Sequence, residues 1–273
     1  MKNSLFAIVL LLAISCTSIK RKKILIVLSE KSEISLKSGK THKTGFYLNE
    51  LMIPVMELEK NNYELVFATP NGGIPSLDKS SDRARYFENE DEYQNAKSSL
   101  NRLELTKFNN TVIKSLKDLS SSEISNFSGL FVPGGHAPMI DLAFNSSLGA
   151  VLKKFNKSKI PTAMVCHGPV ALLSSLDNSE EVILEKEDGK NWIYKDYKMT
   201  VFSNEEEKVA EKYMLKDELL FYSESALKRA GAQIVVGDKW KSNVVVHNEL
   251  ITGQNPSSDK DLVLAFINLL ENK

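Results

Sequence analysis

Cysteine is almost missing from this chain of 273 residues: there are two, beside four histidines and two tryptophans. So few and so widely spaced, they do not make a zinc-type Cys/His cluster, and no metal is expected. Net charge is missing too. Lysine plus arginine number 35, aspartate plus glutamate number 35, and the formal charge is zero. That balance gives no pull toward nucleic acid, which is excluded as an expected partner. Internal repeats and low-complexity tracts are absent, which argues against a solenoid or a tail-like chain. No apolar run is long enough to cross a bilayer comfortably; residues 5–14 are short for that and suit a signal h-region.

What is present falls into two parts. At the start, Lys2 precedes the apolar run, and Ala13-Ile14-Ser15-Cys16 reads as a lipobox. Residues 1–15 are expected to be a lipoprotein signal peptide, cut before Cys16, whose thiol is then acylated. An uncleaved anchor or an ordinary secretory signal is the alternative. Residues 16–23, with Lys20-Arg21-Lys22-Lys23, read as a tether to a domain over 24–273. The expected location is the bacterial cell envelope, held to the membrane by the N-terminal lipid and facing the periplasm, or else soluble in the periplasm or secreted. Acylation of Cys16 would leave Cys166 as the only free thiol, with no internal disulfide.

The domain is long enough for one large α/β core. Residues 24–28 are an unbroken aliphatic run, as in a strand buried on both faces. Residues 46–58 carry Leu48, Leu51, Val55 and Leu58 at helical spacing. Residues 63–68 read as a strand closed by Pro70-Asn71-Gly72-Gly73. Residues 76–128 are polar and charged and read as a small helical insertion, with helices near 88–103 and 111–119. Further strands are predicted at 129–133, 162–165, 199–202, 233–236, 244–246 and 250–252. Helices are predicted at 148–155, 219–230 and 256–270. Alternation of the two types predicts a doubly wound, mostly parallel sheet with helices on both faces. The last two strands face each other across His247-Asn248-Glu249 as a hairpin.

The chemistry concentrates at Pro161-Thr162-Ala163-Met164-Val165-Cys166-His167-Gly168-Pro169. An apolar strand ends in a sharp turn, and the pattern Val170, Ala171, Leu172, Leu173, Leu176 predicts a helix after it. The arrangement is that of a nucleophile elbow with cysteine as nucleophile. A thiol at a helix mouth is expected to ionise more readily than a free one. His167 adjoins it and needs a third group to orient it; a histidine merely packed beside the turn is the competing reading. Glu50 shares an apolar helix face with Phe46, Ile53 and Pro54, where burial would raise its pKa and Pro54 would kink the helix. Spacing alone favours instead a Glu50 turned to solvent. Gly134-Gly135, directly after a strand, can bring amides to a ligand oxygen as an oxyanion hole, or can simply make a tight turn. Ser203 and Glu206 fit a capping box, and one of Glu205, Glu206 and Glu207 could also reach His167. His247-Asn248-Glu249 imitates the His-x-Glu of a glutamine amidotransferase, but a hairpin turn explains it better. His42 and His136 read as loop or surface residues, and Trp192 and Trp240 as packing.

Thr44-Gly45-Phe46 with Glu50 and Pro54, Val132-Pro133-Gly134-Gly135-His136-Ala137-Pro138, Val165-Cys166-His167-Gly168-Pro169, and Leu250-Ile251-Thr252-Gly253-Gln254-Asn255-Pro256 together resemble the ThiJ/PfpI superfamily, of the class I glutamine-amidotransferase-like fold. Within it they are most similar to the heat-shock chaperone branch that includes the glutathione-independent glyoxalases. The resemblance implies a flavodoxin-like α/β sandwich. It places the nucleophile on Cys166, its histidine on His167, a partner glutamate on Glu50 and the triad acid on Glu207, with Glu206 as runner-up. It also implies a stress-response enzyme of the glyoxalase III type, a D-lactate dehydratase (a lyase), that turns methylglyoxal into lactate or repairs related glycation damage with no cofactor. A small dicarbonyl substrate and a homodimer follow from the same resemblance. The alternatives are a holding chaperone without essential catalysis and, further off, an amidotransferase-like enzyme or a peptidase.

Overall fold

The computed structural model of the protein describes residues 21–108 and 112–273. The expected signal peptide and the acylated Cys16 therefore lie outside the described residues.

A seven-stranded sheet forms the centre. Its strands are β1 (Lys23–Val27), β2 (Glu64–Thr69), β3 (Lys114–Ser115), β4 (Phe127–Val132), β5 (Thr162–Val165), β6 (Val244–His247) and β7 (Leu250–Gly253). They run in the order β6-β7-β5-β4-β1-β2-β3. All neighbours are parallel except β6 and β7, which form the antiparallel hairpin expected from the sequence. The aliphatic run of β1 is explained by burial on both sides. Ile24 and Ile26 enter one core, and Leu25 and Val27 enter the other. Such two-faced burial is what parallel strands covered by helices require.

One face is covered by α1 (Leu48–Lys60), α2 (Glu90–Leu103) and α6 (Asp259–Glu271), through residues such as Leu51, Leu100 and Phe266. The other is covered by α3 (Ser146–Ser158) and α5 (Ser223–Ala230), through Leu152, Phe155 and Leu227. A shorter helix, α4 (Asn204–Ala210), is the remaining element that matters for the site. Its start is set by the capping box of Ser203 and Glu206 that the sequence predicted.

Helix α1 runs on through Pro54 as one element; the missing N–H costs one bond, and burial of Leu51, Val55 and Leu58 holds the rest. Two local expectations need correction. The helix predicted over 111–119 is, in its described part, the edge strand β3 followed by a 3₁₀ turn, Leu116–Asp118. The segment after Cys166 is a 3₁₀ helix, Gly168–Ser175, with every residue buried. An element apolar on all sides gains from burial rather than from one amphipathic face, so its periodicity carried little information.

The strand order changes direction between β1 and β4, since the chain leaves β1 for β2 and later returns to the other side. Crevices at the carboxyl ends of strands beside such a switch are where open α/β sheets bind ligands. The turns after β4 and β5 stand there.

Candidate active site

Strand β5 ends at Val165, and Cys166 follows with φ 58°. A residue with a Cβ held in the left-handed region costs about 1–3 kcal/mol, so neighbours must impose it. They do: the Cys166 amide donates to the Gly253 carbonyl at 2.9 Å, and the Phe202 amide donates to the Cys166 carbonyl at 2.9 Å. The side chain is thereby thrown out of the strand end as an elbow.

His167 is buried against it. Its Nδ1 is 3.3 Å from Cys166 Sγ and its Nε2 is 2.7 Å from Glu207 Oε2. The other oxygen, Glu207 Oε1, is 2.9 Å from Nε2 of His136. Burial alone would raise the pKa of Glu207, but the two imidazoles outweigh it and hold the carboxyl far below its usual range. An ionised carboxylate only accepts, so both histidines donate through Nε2–H. The tautomer follows: His167 presents a bare Nδ1 to the thiol. Burial lowers the pKa of His167 and keeps its ring neutral, whereas for His136 the Glu207 carboxylate overcomes burial and raises it. Of the three consecutive glutamates, Glu207 reaches His167. Glu206 is spent on Ser203, Gln254, Asn255 and the Trp240 amide, and Glu205 pairs with Lys239 on the surface.

Glu50 also sits beside Cys166. The sequence favoured a solvent-facing side chain, yet it is completely buried in the first turn of α1. Neither carboxyl oxygen meets a donor at full hydrogen-bond geometry. The Cys166 thiol and the Gly134 and Gly135 amides are close enough to stabilise a charge there, but burial dominates and pushes its pKa up to about 8. At neutral pH Glu50 is therefore protonated. Gly134 makes the approach possible. A Cβ at that position would lie 2.6 Å from both Cys166 Cβ and Glu50 Oε2, so a side chain would separate acid from sulfur.

The expectation of an acidic thiol is overturned. Burial, followed by the neighbouring Glu50, pushes the Cys166 thiol well above its ordinary value, and the Gly135 amide offsets this only in part. The helix mouth invoked to lower it belongs to a 3₁₀ segment, not an α-helix. Cys166 is only 4% exposed, but it opens on a cavity of about 410 Å³. Tyr47, Tyr86, Phe202, Tyr213 and Trp240 line it, together with His136 and His167.

Sequence reasoning missed His136, taken for a loop residue. Its signal was topological: the Gly-Gly-His turn ends β4, the elbow ends β5, and these strands are neighbours. Trp240 packs edge-on against Phe202, but it is 45% exposed, has φ 61° and lines the cavity. Trp192 does pack, with its Nε1–H on the Leu172 carbonyl. The His-x-Glu decoy is structural. Asn248 turns the hairpin at φ 55°, His247 accepts from the Lys198 amide, and Glu249 takes the Tyr197 hydroxyl and the Asn156 amide. Leu250 pairs with Thr162, so this turn lies at the end of β5 away from Cys166. Two of the four histidines are gathered after all. Among the described residues His136, His167 and Glu207 offer three ligand atoms within 4.8 Å of one another, but those atoms bond one another.

The model of the DJ-1/PfpI family matches residues 42–269, and the chain belongs to that family. It is 29% identical to the glutathione-independent glyoxalase hsp3102 of Schizosaccharomyces pombe, over 92% of this chain and 98% of that protein. It is 25% identical to the protein/nucleic acid deglycase HchA of Staphylococcus aureus, over 92% of this chain and 82% of that one. Among solved structures, glyoxalase III of Candida albicans superposes with a TM-score of 0.70 at 22% identity, covering 92% of this chain and 98% of its own, a likeness of fold. The chain is thus related to the glyoxalase III and chaperone branch. The lipid-anchored envelope location expected from the N-terminal segment is corrected. Relatives named as glyoxalase and deglycase are matched over 98% and 82% of their lengths, and no helix among the described residues is long and apolar enough to cross a membrane. The apolar stretches of the described chain are consumed in its two cores.

Proposed function

We propose that this protein converts small 2-oxoaldehydes to 2-hydroxy acids without glutathione, with methylglyoxal to lactate as the simplest case. The supporting observation is the line of contacts Glu207–His167–Cys166, with a protonated Glu50 also beside Cys166. His167 Nδ1 takes the thiol proton as sulfur attacks the aldehyde carbon, and returns it to the new oxygen, giving a hemithioacetal. In this reading the amides of Gly135 and His167 stabilise that oxygen. His167 then removes the hydrogen of the former aldehyde carbon while Glu50 protonates the neighbouring carbonyl oxygen. His167 protonates the second carbon, Glu50 recovers its proton from the first hydroxyl, and the isomer is a thioester. Water hydrolyses it, releasing the hydroxy acid and the thiol. A pKa near 8 suits Glu50 to donating at neutral pH, and the buried thiol reacts only as its proton leaves.

Lactate formation from methylglyoxal by the wild-type protein and by Cys166→Ala tests this. The variant is expected to be inactive, because the other groups act on an adduct that never forms. Equal rates would sink it.

The resting state of the thiol favours a second reading, a stress-response binding protein in which catalysis is not essential. A protonated, buried sulfur at the base of an apolar cavity suits binding as well as attack. Suppression of client aggregation that survives Cys166→Ala, without lactate formation, would select it.

A further inference from the structure

The cavity is larger than methylglyoxal needs. About 410 Å³ lies within the range of ~300–1,000 Å³ that holds drug-sized ligands, and methylglyoxal is the smallest 2-ketoaldehyde. Five aromatic rings line it, and Val209, Ala210 and Met214 add apolar wall. No aspartate or glutamate faces it. The two acids of the site do not line it; Glu50 is protonated and Glu207 is bonded to both histidines. The rim, by contrast, carries a cation. Arg85 lines it and lies over the ring of Tyr86, 4.9 Å from its centroid, donating to that tyrosine's hydroxyl. Lys212 does not itself line the cavity, but lies 5.1 Å over the ring of Tyr213, which does. Both cations are exposed, and neither has a carboxylate within ion-pair distance among the described residues. Other exposed cations do have one: Lys97 with Asp82, Arg102 with Glu59, Lys239 with Glu205, Lys260 with Glu88.

We infer that the preferred substrate is a 2-ketoaldehyde with a flat aromatic body and an anionic group, its carbonyls at Cys166, its ring among the cavity aromatics, and its anion at Arg85 and Lys212. This rests on the reaction proposed above and names its substrate class. The ring gains stacking and burial that a methyl group cannot, and the anion gains two cations already held over rings. The balance is unchanged: R–CO–CHO plus water gives R–CH(OH)–COO⁻ plus a proton, with the aldehyde carbon oxidised and the ketone carbon reduced.

The test compares methylglyoxal, phenylglyoxal and 4-carboxyphenylglyoxal at low salt. We expect kcat/KM for phenylglyoxal about tenfold above methylglyoxal, and KM for the carboxylated compound about fivefold below phenylglyoxal. In the double variant Arg85→Gln/Lys212→Gln the fivefold gap closes, and molar salt closes it in the wild type. Equal KM values for the charged and uncharged arylglyoxals, or a gap that survives both changes, overturn the inference. If no ketoaldehyde is turned over, the reaction falls and binding decides the ligand class. Phenylacetate should then quench Trp240 fluorescence of the wild-type protein at about one-fifth the concentration that neutral phenylacetamide needs. Equal binding of the two overturns the inference in that case.

Discussion

Two buried glutamates stand near the same sulfur and hold opposite charge states. Glu207, in the first turn of α4, gives one oxygen to each of two imidazole N–H groups and stays ionised. Glu50, in the first turn of α1, is as deeply buried but meets no full hydrogen bond, and keeps its proton to about pH 8. Both stand near a helix N-terminus and both lack water, so neither dipole nor burial separates them. Partners do. One acid is a fixed anion that orients a base; the other is a proton store.

Glu207→Gln attacks the contrast hardest. One carboxylate oxygen becomes an NH₂ that confronts an imidazole N–H, so at least one histidine must turn away. Activity should fall by about 10²–10⁴-fold, as when the acid of a triad is made an amide. The melting temperature should fall too, since the buried His136 loses the carboxylate that accepts its N–H; an unchanged rate would remove His167 orientation from the mechanism. Glu50→Gln comes next, with about a 10²-fold loss, because the amide keeps the shape but cannot lend a proton. Its effect on folding should have the other sign. A carboxyl whose folded pKa lies above its unfolded one binds more protons folded than unfolded, so its contribution to stability declines as pH climbs from about 4.5 to 8. At pH 8 Glu50→Gln should therefore be more stable than wild type by on the order of 1–3 kcal/mol, and at pH 4 no more stable. Chemical denaturation at the two pH values reads this directly. Glu207 contributes in the reverse sense: its stabilisation is complete above the ordinary carboxylate pKa and is lost as pH falls toward its depressed value.

The pH–rate profile sharpens the comparison further. If Glu50 must start protonated, kcat for methylglyoxal should decline above about pH 8. In Glu50→Gln the residual rate should lose that limb. The smallest effect is expected from His136→Gln, which keeps a donor toward Glu207 but removes the imidazole. A loss of a few-fold in kcat, with the Glu50 limb in place, would mark it as a group acting through Glu207.

Much of the scaffold was legible because parallel strands buried on both faces leave runs such as Ile24-Leu25-Ile26-Val27 that admit few other readings. The elbow was legible for a related reason: a cysteine and histidine at an abrupt strand end need a local explanation. Glu50 was harder. An acid on an apolar helix face is ambiguous until the opposing turn is known, and that turn, Gly134-Gly135, comes from a strand far along the chain. His136 was invisible because its partner is fixed by the neighbouring of β4 and β5, not by any spacing. The thiol's acidity was misjudged because it depends on desolvation and on Glu50, neither of which a motif records.

Cys166 is tied through its own backbone to Gly253 and Phe202. The reacting atom is thus moored to the framework at Gly253, which is no part of the chamber wall, and at Phe202, which is. Arg85 and Tyr86 belong to a short 3₁₀ turn, Ala84–Tyr86, remote in sequence from both moorings. Evolution, or a designer, can therefore redraw the chamber's entrance while the chemistry behind it stays in place.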